Sequence, residues 1–137
     1  MPKPPAARQR LRFDDLTHDV QPDGRCRMSV RLEWRGRTLE AHVEGLETHQ
    51  GRLRACAQAA LEAAARATEG DVRFDLVGVK AVRAFDGWVV VSRVNAEDPS
   101  RNYRLLGSAA CEDEEALGRC TVQAVLDATN RVLERHA

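Results

Sequence analysis

Charge of one sign is what this chain most clearly lacks. Its 21 basic and 21 acidic side chains cancel, so no net field draws it toward nucleic acid or an anionic membrane. It has no apolar run of about 18 residues, which excludes a transmembrane helix. The N-terminus, Met1-Pro2-Lys3-Pro4-Pro5, carries a basic residue with no apolar segment after it, so a secretory signal is not expected. Residues 1–9 read as a disordered arm, because prolines remove backbone donors.

Chemistry-bearing patterns are equally scarce. Cys26, Cys56, Cys111 and Cys120 fit neither a zinc pattern nor a redox CxxC pair. They read as small core residues of a reduced, cytoplasmic protein. Cys120 is the exception: it projects away from the apolar side of its helix, and exposure is expected. No two of the histidines at 18, 42, 49 and 136 stand at metal-ligand spacing, and His42 falls on the wet side of a strand. Ser92, Ser100 and Ser108 lack the flanking glycines of a nucleophile elbow. The expectation is a non-enzyme with no catalytic residue, no metal site and no cofactor.

What the chain does contain is a near-repeat. Gln58-Ala59-Ala60-Leu61-Glu62-Ala63-Ala64-Ala65-Arg66 matches Gln123-Ala124-Val125-Leu126-Asp127-Ala128-Thr129-Asn130-Arg131 at a constant offset of 65. Each copy follows strand-like residues. The chain thus divides into two β-rich units, at about 26–70 and 71–135, each closed by a helix, within one α+β domain spanning 10–137. Leu61 and Leu126 should occupy matching positions.

The strands follow from alternation. Arg10–Asp15 suggests a short edge strand, and Asp23-Gly24 marks a turn. Cys26, Met28, Val30, Leu32 and Trp34 share one face of a strand, with Arg27, Ser29, Arg31 and Glu33 on the other. A turn at Arg35-Gly36 then sets Leu32 opposite Leu39, Val30 opposite Ala41 and Met28 opposite Val43. The first helix runs from Gln50 to Thr68 on a stripe of Leu53, Ala57, Ala60, Leu61 and Ala64. Glu62 stands four residues before Arg66, the favourable order for an ion pair, and Gly70 stops the helix.

In the second unit, a strand at about Val72–Val79 bends at Gly78 or continues toward Phe85. Asp86-Gly87 reads as a two-residue hairpin turn, with Phe85 opposite Trp88, Ala84 opposite Val89 and a positive φ at Gly87. An acidic loop holding Pro99 leads to a last strand at Tyr103–Cys111. Glu112-Asp113-Glu114-Glu115 favours the positive end of a helix dipole and reads as a helix start rather than a cation site. Val122, Val125, Leu126, Thr129, Val132 and Leu133 form that helix's buried face.

One feature exceeds what a single core needs. The second hairpin is apolar on both faces: Val82, Ala84, Val89 and Val91 on one, Val79, Phe85, Trp88, Val90 and Val94 on the other. Two helices laid on a sheet cover only one side, so a second apolar face must meet a partner chain, a ligand or the N-terminal arm. The candidate is a homodimer interface centred on Phe85, Trp88 and Val90.

The order of strands and helix, twice over, ending in Ala124–Leu133 with its Asn130-Arg131 pair, resembles the C-terminal regulatory domain of 2-isopropylmalate synthases. The resemblance spans roughly Met28 to Leu133. It implies two β-rich repeats, dimerisation and an amino-acid ligand bound between subunits. The helix–strands–helix order is also that of a double-stranded RNA-binding domain, but the last helix opens with four acidic residues where phosphate contact would need lysines.

Together these readings describe a mainly antiparallel sheet with both helices on one face. The expected function is that of a non-catalytic, oligomerising regulatory or partner-binding module. The alternative is a nucleic-acid-associated protein using Arg8, Arg10, Arg12 and Arg27.

Overall fold

The computed structural model describes residues 10–134. The expected disordered arm at residues 1–9 lies outside them, as do Arg135 and His136. The order is β1 (Arg12–Gln21), β2 (Arg25–Trp34), β3 (Arg37–Leu46), α1 (His49–Ala67), β4 (Arg73–Ala84), β5 (Gly87–Glu97), β6 (Asn102–Cys111) and α2 (Leu117–Leu133). A 3₁₀ turn at Glu114–Ala116 leads into α2. The fold is α+β, but its strands form two antiparallel sheets, β1-β2-β3 and β4-β5-β6, rather than the single sheet expected. The reason is α1, which packs against both β3 and β4. No helix among the described residues is long and apolar enough to cross a membrane.

The repeat is therefore a βββα unit used twice. Both first strands carry an irregularity at the same place, between Phe13 and Asp15 in β1 and between Leu76 and Gly78 in β4. α1 and the 3₁₀ turn that leads into α2 start from matching caps. The Thr48 hydroxyl accepts from the Gly51 N–H, and the Asp113 carboxylate accepts from the Ala116 N–H. Leu61 and Leu126 are both buried in the core.

The first hairpin has the expected register, with Leu32–Leu39, Val30–Ala41 and Met28–Val43 paired. β1 is longer than Arg10–Asp15 suggested, because it follows β2 as far as Gln21 and its exposed edge needs few apolar residues. Arg66, expected to pair with Glu62, donates to the Glu40 carbonyl at the edge of β3.

The second hairpin turns one residue earlier than the Asp86-Gly87 signal suggested. Arg83 pairs with Trp88 and Ala84 with Gly87, so the turn residues are Phe85 and Asp86, at φ +54° and +59°. Gly87 is not left-handed. It opens β5, where an added Cβ would sit 2.6 Å from the Cys111 carbonyl oxygen. The shift has a clear cause. The observed register puts Ala81 beside buried Val90, whereas the expected one would have put Arg83 there.

A bulky aromatic in the left-handed region is strained, and Phe85 is 97% exposed, with little packing to compensate. Phe85→Asn should therefore raise the unfolding free energy in urea by about 0.5–1 kcal/mol. A lowered midpoint would contradict the strained turn.

Each helix rides on its own sheet, α1 on β2 and β3, α2 on β5 and β6, and the two helices touch each other. α2 also meets β1, and just before that strand the Asn130 side chain accepts from the Leu11 N–H at 2.8 Å. Covered from several sides, α2 buries more than its apolar stripe. Cys120, expected to be exposed, is buried, and its thiol donates to the Ala109 carbonyl at 3.2 Å.

Candidate functional site

Two surfaces stand out: a cavity where the units meet, and the outer face of the second sheet. The cavity of about 600 Å³ is bounded by β1, β2 and the N-terminal turns leading into both helices. Leu16, Met28, Leu53 and Leu117 supply apolar walls, while Arg52, Arg119, Glu114 and Glu115 bring both charges. Two glycines fix how the helices join the first sheet. A Cβ on Gly51 would collide with the Leu46 carbonyl and come within 2.8 Å of the Thr48 hydroxyl, so the turn from β3 into α1 requires glycine. A Cβ on Gly118 would lie 2.8 Å from a Leu16 methyl, which brings α2 against β1.

Beside this cavity the inner end of the first sheet gathers polar groups. His18 pairs with Met28 across β1 and β2, and Val20 pairs with Cys26. Glu47 follows β3, its N–H donating to the Gly24 carbonyl at 2.8 Å. His18 Nε2 lies 2.8 Å from Glu47 Oε2, while Arg52 donates to Glu47 Oε1 at 3.0 Å. The His18 hydrogen bond, foremost, and that of Arg52 hold the Glu47 carboxyl below its usual range against some desolvation. Cys26 is fully buried, and desolvation followed by the Glu47 charge pushes its thiol up. Burial likewise pushes Cys56 up to about 12, and Cys120 to about 12 with help from neighbouring Cys111, so neither is a ready nucleophile.

Sequence spacing missed the grouping of His18, Cys26 and Glu47 because the residues come from three segments. The usable signal was cross-strand: a hairpin turning at Asp23-Gly24 puts positions 18, 20, 26 and 28 on one face.

The outer faces of the two sheets differ sharply. In the first, matching positions across the strands read Asp19·Arg27·Glu44, Thr17·Ser29·His42 and Asp15·Arg31·Glu40. Arg31 donates to Asp14 at 2.7 Å, and Arg27 lies 3.6 Å from Glu44. In the second sheet the corresponding rows read Val82·Val89·Ala110, Lys80·Val91·Ser108 and Gly78·Arg93·Leu106. A charged row in one unit is wholly apolar in the other.

The residues of the expected interface, Phe85, Trp88 and Val90, are exposed to very different degrees. Val90 is 0% exposed in the core and Trp88 is half-buried near His49 and Arg83, so the helices cover that face. Phe85 alone of the three is fully open, at the turn. The uncovered apolar face is the opposite one, with Val82 41% exposed and Val89 and Val91 half-buried. Of the arginines named for nucleic acid, Arg8 lies outside the described residues. Arg10 lies 3.8 Å from Glu134, and Arg27 faces Glu44.

The acidic helix start behaves as a cap, with Asp113 bonded to Ala116. Asp98 organises its loop. Burial opposes its ionisation, but donors from Arg101, Ser100 and Tyr103 hold it well below the usual carboxylate range. No family model matches the chain, and no curated protein is significantly similar to it.

Proposed function

We propose that this chain is a non-catalytic module that self-associates through the outer face of β4-β5-β6 and serves a regulatory or ligand-binding role. The row Val82·Val89·Ala110 carries this reading, because its counterpart in the first unit, Asp19·Arg27·Glu44, is fully charged. Two units with the same backbone and opposite surface chemistry have different neighbours: water for one, a protein face for the other. Stacking two such sheets face to face about a two-fold axis buries the valines of both copies. Lys80 and Arg93 then sit in a polar rim.

Edge-to-edge pairing is disfavoured, since helix side chains already occupy the edges. Gln50 donates to the Val79 carbonyl of β4 at 2.9 Å, and the Ser108 N–H of β6 donates to Asp127 at 2.9 Å. The ligand-binding half of the reading rests on the cavity of about 600 Å³, which has the size and mixed lining of small-molecule sites. Dimerisation and ligand binding are also what the resemblance to the 2-isopropylmalate synthase regulatory domain implies.

The test is Val89→Lys, measured by size exclusion with light scattering. A lysine at the centre of the apolar row should convert dimer to monomer while leaving the circular dichroism spectrum intact. Ser29→Lys, at the position matching Val91 in the first sheet, should leave the dimer unchanged. Equal behaviour of the two variants would remove the reading.

A further inference from the structure

We propose that His18, Cys26 and Glu47 form a binding site for a borderline-soft divalent cation of the zinc class. The ligand-capable atoms of the three side chains all lie within 4.8 Å of one another. They come from β1, β2 and the segment joining β3 to α1, so a bound ion would pin three segments at once.

The donor set selects the ion. An imidazole nitrogen, a thiolate and a carboxylate together suit zinc, whereas calcium and magnesium prefer oxygen ligands alone. Zinc bond lengths of about 2.0–2.3 Å place neighbouring donors roughly 3.3–3.8 Å apart in a tetrahedron. His18 Nε2 and Glu47 Oε2 are already 2.8 Å apart, so they need only open slightly while the thiol draws in. The exposed His18 side chain has room to adjust.

The surroundings are ordered for this task. Arg52 holds Glu47 by Oε1 and leaves Oε2, the oxygen facing His18, for the metal. The Cys26 thiol, which now points to the Leu46 carbonyl at 3.7 Å, loses its proton to solvent as the sulfur–metal bond forms. Three protein donors leave a fourth position for water, and His18 also lines the cavity between the units, so the site opens toward it.

The experiment is a titration of the full chain, reduced and freed of chelators, with Co²⁺ as the spectroscopic probe. The wild type should develop a thiolate-to-cobalt charge-transfer band in the near ultraviolet at one equivalent, and Zn²⁺ should abolish it by displacement. Cys26→Ser should lose the band, and Cys111→Ser should keep it. His18→Gln and Glu47→Gln should weaken Co²⁺ binding at least about tenfold. Absence of the band in the wild type, or its persistence in Cys26→Ser, would overturn the proposal. Should Cys26→Ser fail to fold, His18→Gln decides, because its side chain is exposed; unchanged affinity there would overturn the site.

Discussion

Gly107→Ala should destabilise the fold by roughly 3 kcal/mol, an unusual cost for adding one methyl group. Gly107 lies on β6 directly beneath α2. A Cβ there would run into the Ala124 carbonyl, lie 2.5 Å from the Ala128 nitrogen and sit 2.9 Å from its Cβ. These are mostly backbone atoms, so no rotamer change can make room. Ser92, the cross-strand partner of Gly107, uses the same close approach, its hydroxyl donating to the Ala124 carbonyl at 3.0 Å. The matching pair in the first unit is Val30 and Ala41, which carry ordinary side chains toward α1. Helix α2 is thus docked more tightly than α1 by two small residues. Gly78→Ala, in the same sheet but with nothing within 4 Å of its added Cβ, is the control and should be nearly neutral. Urea unfolding of both variants measures the difference; equal stabilities would show that the helix can shift away at little cost.

Leu61→Ala and Leu126→Ala should each cost on the order of 2–5 kcal/mol, the range for a buried leucine reduced to its Cβ. Leu61 is 1% exposed and Leu126 is 3% exposed, each on the face its helix turns to the core. Similar losses are expected, since the two occupy matching places in the repeat. The surroundings of Leu61 are rich in alanine, including Ala57, Ala60 and Ala64, which have little side chain with which to refill a cavity. Its cost should therefore fall toward the upper part of the range. Thermal and chemical unfolding would both register these changes, and a loss below about 1 kcal/mol at either position would contradict the packing.

The helical part of the repeat was legible because both copies preserve a register of alanines and one leucine. The strands were not, because the loops differ between units: two residues join β2 to β3, while four, residues 98–101, join β5 to β6. The offset between matching positions therefore changes from strand to strand, and no single alignment displays it. The first hairpin could be read residue by residue, since Arg35-Gly36 and the alternation of β2 agree. The second could not, because Asp86-Gly87 is the stronger turn signal, yet it gave way to core packing of Ala81 against Val90.

The same competition explains which apolar face is left uncovered. Alternation showed two apolar faces on β5, but only the placement of α2 decides which is left over. Phe85 and Trp88 are the bulkiest residues there, so their face looked like the surplus; the helix took Val90 and left Val82, Val89 and Val91 on the outer face. The grouping of His18, Cys26 and Glu47 was hidden differently. His18 and Cys26 meet only through a register that depends on the full length of β1.

Sedimentation equilibrium of the unaltered chain, over a wide concentration range, measures the proposed self-association. Stacking through the outer face of β4-β5-β6 should give a reversible species of twice the 15.2 kDa chain mass, converted to the single-chain mass by Val89→Lys. A wild-type chain that remains at 15.2 kDa at every concentration would contradict it.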